Sequence, residues 1–415
     1  MKVLNIVGNL EKGGTQKAAQ VFTEAYAKLG HESKLLYTER DGIRGEELRQ
    51  NGYKVWGPIE KKQLDEVRRW SPHVVHLHSH GINAKDVKKI YAILENNSLF
   101  IETNVFSKPS PWTHLLDVSL QLSFWCDFLF NVRGRGKFQT NIVPYPVNVS
   151  NFFRATVEEV NNFKESLGIE QDVPVIGRVG QFFPGKWSSI LFDSFEYIRK
   201  RERCYLVLVN PPENIISIAN QSSYSKDIKI VDQVIGDKNL RAAYSAFDVF
   251  AHAADQGESF GMVLAESLLC ETPVVTLSTP WGDNSQCEVV KHNVGGYVCT
   301  SRYGFTQAIY ELIKDKGRAK LFGAQGRERV IKKYDYTKVA SDALISTNNL
   351  NKTDKKSTKS KVIKIYKDSY DRYSIWTIML LRISLRRLLV LTRVTSGYEN
   401  FSSLLKKKIL RIMNA

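Results

Sequence analysis

The sequence predicts an α/β protein with two parallel-sheet domains and a basic C-terminal tail. Short apolar runs alternate with helix-forming stretches up to about residue 145, and a second series of the same kind begins at residue 173. Strands that alternate with helices are typical of a parallel sheet covered on both faces. The length of 415 residues also suits two domains and an appendage.

The first series begins with the apolar run 2–7, which ends at Gly8 and leads into a helix predicted over 16–29. Further strands are predicted at 33–37, 53–56, 74–78, 98–102 and near 141–146, with helices at 45–50, 61–70 and 84–95. The second series has strands at 173–179, 205–209, 228–230, 249–252 and 273–277, with helices at 188–200, 238–246, 260–270 and 318–349. We therefore expect domains over 1–150 and 151–349, a hinge near 145–172 and a tail over 350–415.

The net charge of +16 lies mostly in the tail. Residues 351–415 carry a net charge of +12, which leaves +4 for residues 1–350. The five cysteines are widely spaced and form no C-x-x-C pair, so neither a zinc site nor a disulfide framework is indicated. The N-terminus lacks the features of a signal peptide, and no uncharged apolar run reaches the ~18 residues of a membrane-spanning helix. We expect a cytoplasmic protein.

The most informative stretch is GESFGMVLAES at 257–267. Glu258 follows a predicted strand, at the sheet edge where open α/β folds bind ligands, and Glu266 lies two turns into the next helix. A carboxylate can accept hydrogen bonds from a vicinal diol. Three backbone N–H groups at the helix N-terminus would suit an anion: those of Phe260, Gly261 and Met262. The alternative interpretation is a pair of solvated glutamates on a helix face.

A second stretch, GRVGQFFPGKW at 177–187, follows the first strand of the second series. It combines a glycine turn with Arg178, which offers a planar fork, and Lys186, which offers a mobile point charge. Two such cations suit a diphosphate and would stabilise negative charge that develops on it. No D-x-D motif ends a strand of the sheet, so we expect no metal site. Two exposed basic residues in a loop are the alternative.

Together these stretches resemble motifs of the family-4 retaining glycosyltransferases, and the likeness runs in order over residues 1–349. The resemblance implies the GT-B fold, in which two Rossmann-like domains face a cleft, with the donor on the second domain and the acceptor on the first. It implies that Glu258 contacts the donor hexose and that Glu266 holds the nucleotide ribose. It assigns the diphosphate to Arg178 and Lys186. It also implies retaining transfer without a metal or other cofactor.

The loop GNLEKGGT at 8–15 nearly matches a P-loop, but Gly14 stands where the phosphate-binding lysine is required. It does not match G-x-G-x-x-G either. A flexible glycine pair, Gly13 and Gly14, leads into a helix. The resemblance assigns this pair to the approach of the donor phosphates and the acceptor.

Histidines crowd the strand at 73–78, and alternation along the strand puts His76 and His78 on one side. The resemblance matches His78 best to a histidine near the cleft. The next strand departs from the family, because Ile101-Glu102-Thr103-Asn104 stands where a sugar-contacting histidine is usual. This departure bears on sugar selectivity more than on activity, since the leaving phosphate is the expected proton acceptor.

Two further segments match less well. The segment 280–288 with Gly295 and Gly296 partly resembles a donor-site turn of the family. The basic loop 133–137 either meets a phosphorylated acceptor or is a solvated turn.

The resemblance thus predicts transfer of a hexose-type sugar from a nucleotide diphosphate sugar to a glycan or lipid-linked acceptor. The alternatives are a non-catalytic, membrane-associated scaffold and a nucleotide-sugar epimerase of the same fold; a phosphorylase is disfavoured because no pyridoxal-lysine signature is present. In the tail, 374–394 and 398–413 form basic amphipathic patterns that predict contact with an anionic membrane surface. Packing on the protein body or a partner is the other interpretation. Nucleic acid is not an expected partner.

Overall fold

The computed structural model describes residues 1–348 except for 233, 235 and 281. These residues form two compact units, one made of 1–149 and 332–348 and the other of 150–331. The predicted membrane-contacting segments at 374–413 lie outside the described residues, and so does position 281 in the partly matching segment 280–288. In the part of the chain that is described, no helix is long and apolar enough to cross a membrane.

The first unit is built on a parallel sheet with the strand order β3-β2-β1-β4-β5-β6-β7. Its strands are β1 (Lys2–Asn9), β2 (Glu32–Arg40), β3 (Lys54–Trp56), β4 (Val74–His78), β5 (Leu99–Asn104), β6 (Val118–Gln121) and β7 (Thr140–Ile142). Its helices are α1 (Gly14–Lys28), α2 (Ile43–Gln50), α3 (Lys61–Trp70), α4 (Ala84–Leu94) and α5 (Phe124–Arg133), with a 3-10 turn at Thr113–Leu115.

The second unit is built on a parallel sheet with the order β10-β9-β8-β11-β12-β13. Its strands are β8 (Val175–Val179), β9 (Tyr205–Val209), β10 (Ile228–Val231), β11 (Val249–His252), β12 (Val274–Leu277) and β13 (Gly296–Cys299). The helices are α6 (Val157–Ser166), α7 (Ile190–Arg199), α8 (Glu213–Gln221), α9 (Asp237–Ala246), α10 (Met262–Leu269), α11 (Gln286–Val290), α12 (Arg302–Lys314) and α13 (Lys316–Tyr334). Two 3-10 turns lie at Pro184–Lys186 and Ser225–Asp227.

The apolar face predicted for the first helix is the face that packs on the sheet. Phe22 and Tyr26 of α1 are fully buried in one cluster with Val3 of β1 and Ile101 of β5. The other face of this sheet has its own buried cluster, which includes Leu4 and Phe100. Both faces of the sheet are therefore covered, as the α/β pattern predicted.

The strand order of each sheet reverses at one point, between β1 and β4 in the first unit and between β8 and β11 in the second. Crevices at such points, outside the carboxyl ends of the strands, are where open α/β sheets bind ligands. At the first of them the chain has room only for a glycine, because a Cβ built on Gly8 would lie 2.3 Å from the carbonyl oxygen of Gly81. Each of the two reversals is therefore a candidate ligand-binding site.

Several elements differ from the sequence prediction. β6 and α5 were not predicted. β6 has only four residues, and α5 (FWCDFLFNVR) is rich in aromatic residues, which favour strands over helices. The closing helix predicted over 318–349 is two helices, α13 and α14 (Tyr336–Asn348). Asp335 separates them: its carboxylate accepts the backbone N–H groups of Thr337 at 3.0 Å and Lys338 at 3.2 Å, so it caps a new helix.

The last helix changes where the chain divides. Tyr336 and Val339 of α14 lie in the buried cluster of the first unit, together with Phe22. Residues 332–348 therefore belong to the first unit, whereas the sequence analysis assigned all of 151–349 to the second domain. Apolar periodicity within a helix does not indicate which sheet the helix will cover, because the pattern is the same for either.

Candidate functional site

The candidate site lies at the reversal of the second sheet. β8 and β11 are hydrogen-bonded neighbours, with Val249 opposite Ile176 and Phe250 opposite Gly177. The chain that leaves β8 carries Lys186 at the end of a 3-10 turn, and the chain that leaves β11 carries Glu258 before α10. Two segments that are 72 residues apart in the sequence are thus brought to one edge of one sheet.

Lys186 and Glu258 form an ion pair at this edge. The Lys186 Nζ lies 2.8 Å from Oε2 of Glu258 and donates a second hydrogen bond, 3.0 Å long, to the carbonyl oxygen of Gly257. The Lys186 side chain is 22% exposed and that of Glu258 is 13% exposed. The pair is therefore mostly desolvated but still open to a ligand.

His252, the last residue of β11, holds the other oxygen of the same carboxylate. Its Nε2 lies 3.3 Å from Oε1 of Glu258, and its Nδ1 lies 3.0 Å from the hydroxyl of Thr276. Burial lowers the pKa of His252 to about 4, and the charge of Arg178 acts in the same direction. The imidazole is therefore neutral at pH 7. Because a carboxylate only accepts, Nε2 carries the proton and Nδ1 accepts from the threonine.

Glu258 is held in its ionised form. Burial by itself raises the pKa of this carboxyl, but the Lys186 ammonium and the hydrogen bond from His252 outweigh burial and leave the pKa well below its ordinary value. The backbone of Glu258 is also fixed: its N–H donates to the Gln286 side chain over 3.1 Å, and its carbonyl accepts from the N–H of Ser285 over 2.9 Å. The carboxylate is thus preorganised.

A glycine is required just before this glutamate. Gly257 has a φ of +70°, and a Cβ built on it would lie 1.8 Å from the carbonyl oxygen of Asp283. Both the left-handed backbone and the lack of space exclude other residues. In the Gly257–Glu258 pair, the glycine is therefore required by the backbone and the glutamate supplies the carboxylate.

Arg178 takes a different position from the one expected for a phosphate ligand. Its side chain is fully buried, between the rings of Trp187 at 5.0 Å and Phe250 at 5.8 Å. Its guanidinium donates to the backbone carbonyls of Val179 and Lys186. Burial lowers its pKa to about 10, so it stays charged at neutral pH. Arg178 therefore supports the loop that carries Lys186, and Lys186 alone of the two reaches the surface.

Glu266 lies in α10, two turns after Glu258, and is half-buried. Its Oε2 accepts a 3.0 Å hydrogen bond from the hydroxyl of Tyr244, which is fully buried in α9. The helix begins at Met262, two residues after the predicted start at 260. Gly261 is the N-cap with a φ of +91°, Met262 is the first helical residue, and Phe260 is buried with 2% exposure. Within this first turn, the N–H of Leu264 donates to the carbonyl of Gly261 over 3.0 Å.

In the first unit, Gly13 and Gly14 open α1 at the reversal between β1 and β4. Both are half-buried. A Cβ on Gly13 would meet the side chain of Gln16 at 2.2 Å, while Gly14 has open space around its Cα. The Gln16 side chain can move away, whereas the open space at Gly14 allows a ligand to approach the backbone closely.

His78 is fully buried, and so is His76 beside it; their ring centroids are 4.3 Å apart, on one side of the strand as alternation predicted. Nε2 of His78 lies 3.3 Å from Oδ1 of Asn5, whereas its Nδ1 is buried with no hydrogen-bond partner. Burial lowers the pKa of His78 to about 3. A neutral, enclosed ring is a packing element in this conformation, and contact of His78 with a ligand stays a prediction.

Some contributors were not predicted from the sequence. His252, Tyr244 and Gln286 hold the two glutamates. His252 and Tyr244 were not among the candidate residues, and Gln286 lies in the segment 280–288 that resembles the family only in part. His252 ends a strand six residues before Glu258, and a polar residue at the carboxyl end of a buried strand is the feature that could have indicated it. In the described part of the chain, no group of three or more His, Cys, Asp or Glu side chains is arranged to hold a metal ion.

Comparisons with known proteins relate part of this chain to glycosyltransferases. Residues 159–329 match the family model described as glycosyl transferases group 1. The chain is 24% identical over 187 residues to the N-acetyl-alpha-D-glucosaminyl L-malate synthase of Bacillus anthracis, covering 44% of this chain and 47% of that protein. It is 23% identical over 192 residues to an uncharacterized glycosyltransferase of Methanocaldococcus jannaschii, covering 45% and 48%. The chain thus matches about half the length of these relatives.

Solved structures resemble a larger share of the chain. Anabaena Alr3699/HepE, in complex with UDP and glucose, has a TM-score of 0.66 at 16% identity and covers 84% of this chain and 100% of its own. Sucrose-phosphate synthase from Thermosynechococcus elongatus has a TM-score of 0.63 at 16% identity, covering 84% and 98%. At such identities the likeness concerns the fold. The chain has the GT-B fold of two Rossmann-like domains, and the segment that carries Lys186, Glu258 and Glu266 matches glycosyl transferases group 1.

Proposed function

We propose that the chain is a retaining glycosyltransferase that moves a hexose-type sugar from a nucleotide diphosphate sugar to a glycan or lipid-linked acceptor. The proposal rests chiefly on one observation, the ion pair of Lys186 and Glu258 at the strand reversal of the second unit. The match of residues 159–329 to glycosyl transferases group 1 supports it. So does the likeness to Alr3699/HepE, a protein whose structure is described with UDP-glucose.

The two partly buried carboxylates suit two parts of such a donor. Glu258 is ionised and anchored on both oxygens, so it can accept hydrogen bonds from sugar hydroxyls without moving. Glu266 is held by Tyr244 on one oxygen and can accept from the two ribose hydroxyls. Lys186 supplies a positive charge for the diphosphate, on a loop held from below by Arg178.

The proposed reaction breaks the bond between the sugar C1 and the diphosphate oxygen, and both electrons of that bond go to the leaving phosphate. The acceptor hydroxyl oxygen forms the new bond to C1 on the same face, and its proton passes to the leaving phosphate. The nucleoside diphosphate thus leaves with the acceptor's proton. Negative charge on the leaving oxygen grows along this path, so a cation beside it stabilises the transition state more than the bound donor.

The experiment is hydrolysis of a panel of UDP-, GDP- and ADP-sugars by the full chain, with free nucleotide binding measured in parallel. We expect one nucleotide to bind and its sugar to be slowly hydrolysed, with turnover reduced in Glu258→Gln. A chain that binds none of the nucleotides contradicts the proposal and favours a non-catalytic scaffold. Release of a sugar epimer instead of free sugar favours an epimerase.

We also propose that the chemistry needs no metal ion, because Lys186 can supply positive charge for a leaving diphosphate. Hydrolysis should continue in excess EDTA. Complete loss of hydrolysis that Mn²⁺ or Mg²⁺ restores would contradict this part of the proposal. Addition of Mg²⁺ to the untreated enzyme serves as the control for non-specific effects of the chelator.

An anionic membrane surface is the proposed partner of residues 374–413, on the basis of their basic amphipathic sequence. Such a partner suits a lipid-linked acceptor on the inner face of a membrane. The full chain should sediment with vesicles that contain phosphatidylglycerol and not with phosphatidylcholine vesicles. Charge reversal of Lys406, Lys407 and Lys408 should release it. A full chain that stays in solution with phosphatidylglycerol vesicles at low salt would contradict the membrane proposal and point to protein contact by the tail.

A further inference from the structure

An aromatic side chain is held out into solvent at the carboxyl end of β5. Phe106 is 43% exposed, although its neighbours Val105 and Ser107 are buried. Ser107 has a φ of +50°, a left-handed conformation that costs free energy in a residue other than glycine. A phenylalanine in water also forgoes the gain of burial. A loop that keeps both features must be stabilised by other contacts.

Those contacts are hydrogen bonds to the loop backbone. The Asn104 side chain accepts from the N–H of Phe106 over 3.3 Å and donates to the carbonyl of Lys108 over 2.9 Å. Nη1 of Arg133, the last residue of α5, donates to the carbonyls of Phe106 over 3.1 Å and Ser107 over 2.9 Å. The loop is thus fixed from both sides with its ring facing outward.

The next layer of anchoring is buried. Glu102 is fully enclosed, and its carboxylate accepts from Asn104 over 3.3 Å, from Trp112 Nε1 over 3.0 Å and from Ser119 over 3.1 Å. Asn104 therefore links the exposed loop to a buried acceptor in the sheet. Glu102 lies in the stretch 101–104, where the resemblance implies a histidine, and through Asn104 it helps to position the loop.

The surface around this ring is positively charged. His80 lies with its ring centroid 5.5 Å from that of Phe106, and Nζ of Lys108 lies 5.9 Å from the same centroid. The turn 134–138 lies against the loop, since a Cβ on Gly134 would be 3.1 Å from Cγ of Pro109. Segments 79–83, 105–111 and 133–138 contain no Asp or Glu. They contain four permanent cations, which are Lys108, Arg133, Arg135 and Lys137.

We propose that this surface, formed by Phe106, His80, Lys108, Arg133, Arg135 and Lys137 and named the Phe106 surface, binds a glycan that carries phosphate or carboxylate groups. One apolar face of a sugar ring can pack on the exposed Phe106 ring, while the anionic group pairs with the cations around it. A solvated basic turn explains the charge but not the strained, anchored exposure of the ring. The surface follows β5 at the carboxyl edge of the sheet, where α/β folds bind ligands.

The binding of a glycan to this surface is independent of the proposed function. Only the identification of that glycan as the acceptor rests on the proposed function. Binding to the full chain is measured by ligand-detected NMR with three probes: trigalacturonate as the carboxylate probe, glucose 6-phosphate as the phosphate probe and maltotriose as the neutral probe. We expect saturable binding of at least one anionic probe, with no binding of maltotriose under the same conditions. The binding should weaken as salt is raised, because exposed charges are screened.

Phe106→Ala and Lys108→Glu should each weaken that binding at least tenfold. Lys54→Glu is the matched control, since Lys54 is exposed on β3 of the same unit, and it should bind as the parent does. The proposal is overturned if neither anionic probe binds the parent, or if both variants bind the probes as tightly as the parent does. Saturation by RNA or by anionic vesicles in place of both glycan probes overturns it as well.

The same samples separate this proposal from the proposed function. UDP-, GDP- and ADP-sugar hydrolysis is measured for each variant, and the control Lys54→Glu should hydrolyse the donor as the parent does. Glycan binding that depends on Phe106 in a chain that hydrolyses no donor supports the surface and contradicts the transferase. Donor hydrolysis without glycan binding does the reverse.

Discussion

Nζ of Lys186 lies 2.8 Å from Oε2 of Glu258, so the cation assigned to the diphosphate is already paired with the carboxylate assigned to the sugar. The same ammonium donates to the carbonyl of Gly257 over 3.0 Å. A lysine ammonium has three protons to donate, and these two bonds leave capacity for a third acceptor. An arriving phosphate oxygen can therefore be bound without breaking the pair, and both groups stay in position during the reaction.

The first prediction concerns that lysine. Lys186→Ala should lower kcat more than it raises KM, because its contact strengthens as charge grows on the leaving phosphate. Loss of one charged hydrogen bond corresponds to roughly a ten- to hundred-fold effect. Steady-state donor hydrolysis measures both constants. Lys226→Ala, on an exposed 3-10 turn of the same unit, is the control and should behave as the parent does.

An unchanged kcat in Lys186→Ala would move the phosphate site elsewhere. A raised KM with kcat unchanged would mean that Lys186 binds the ground state and the transition state equally well.

The second prediction separates the two glutamates. Glu266→Ala should weaken free nucleotide binding by about ten- to a hundred-fold, because it removes the proposed ribose contact. Glu258→Ala should bind free nucleotide nearly as well as the parent and lose turnover instead. Calorimetric titration with the nucleotide selected by hydrolysis measures the difference.

Tyr244→Phe is the companion variant, since it keeps Glu266 but removes the 3.0 Å hydrogen bond that orients it. Its effect on nucleotide binding should be smaller than that of Glu266→Ala. If free nucleotide binds Glu266→Ala as it binds the parent, the ribose site has been misplaced.

The third prediction concerns pH. The pKa of His252 falls from an ordinary 6.5 to about 4 on folding, chiefly through burial. Between these values the unfolded chain binds a proton that the folded chain does not, so the free energy of unfolding falls as pH falls. One such proton corresponds to about 1.4 kcal/mol per pH unit. The stability that comes from keeping His252 neutral in the folded chain is fully present above pH 6.5 and is lost by about pH 4.

His252→Asn should therefore reduce the slope of stability against pH in this window. His76 and His78, whose pKa values are also lowered by burial, should maintain the rest of the slope. Urea unfolding at a series of pH values from 7.5 to 4.5 measures it. An identical slope in the variant and the parent would show that His252 is protonated as easily in the folded chain as in the unfolded one.

The fourth prediction concerns Glu102. Glu102→Ala leaves the buried donors of Trp112, Ser119 and Asn104 without their acceptor, at a cost of about 1–3 kcal/mol for each donor that stays unpaired. Glu102→Gln retains one acceptor oxygen at nearly the same volume and should cost less. Urea unfolding followed by tryptophan fluorescence compares the two. Equal stability of Glu102→Ala and the parent would mean that the network carries no net stabilisation.

Local pattern was enough to predict most strands and much of the candidate site. β4, β9 and β11 begin and end where the apolar runs predicted, because a buried parallel strand needs an uninterrupted apolar segment and little else. The GESFGMVLAES segment predicted that Glu258 precedes a helix and that Glu266 lies within it, and the structure has both. These features depend on residues that are close to one another in the sequence.

The tertiary structure decided what depends on distant residues. It buried Arg178 under the loop of Lys186 and left Lys186 at the surface, although both looked alike as basic residues near a glycine turn. It buried His78 and brought His252 to Glu258. It also placed α14 in the first unit. Which cation is exposed, which ring is enclosed and which sheet a helix covers all depend on packing against segments far away in the chain. The periodicity of apolar residues predicts that a side chain is buried, but it does not predict which distant residues pack against that side chain.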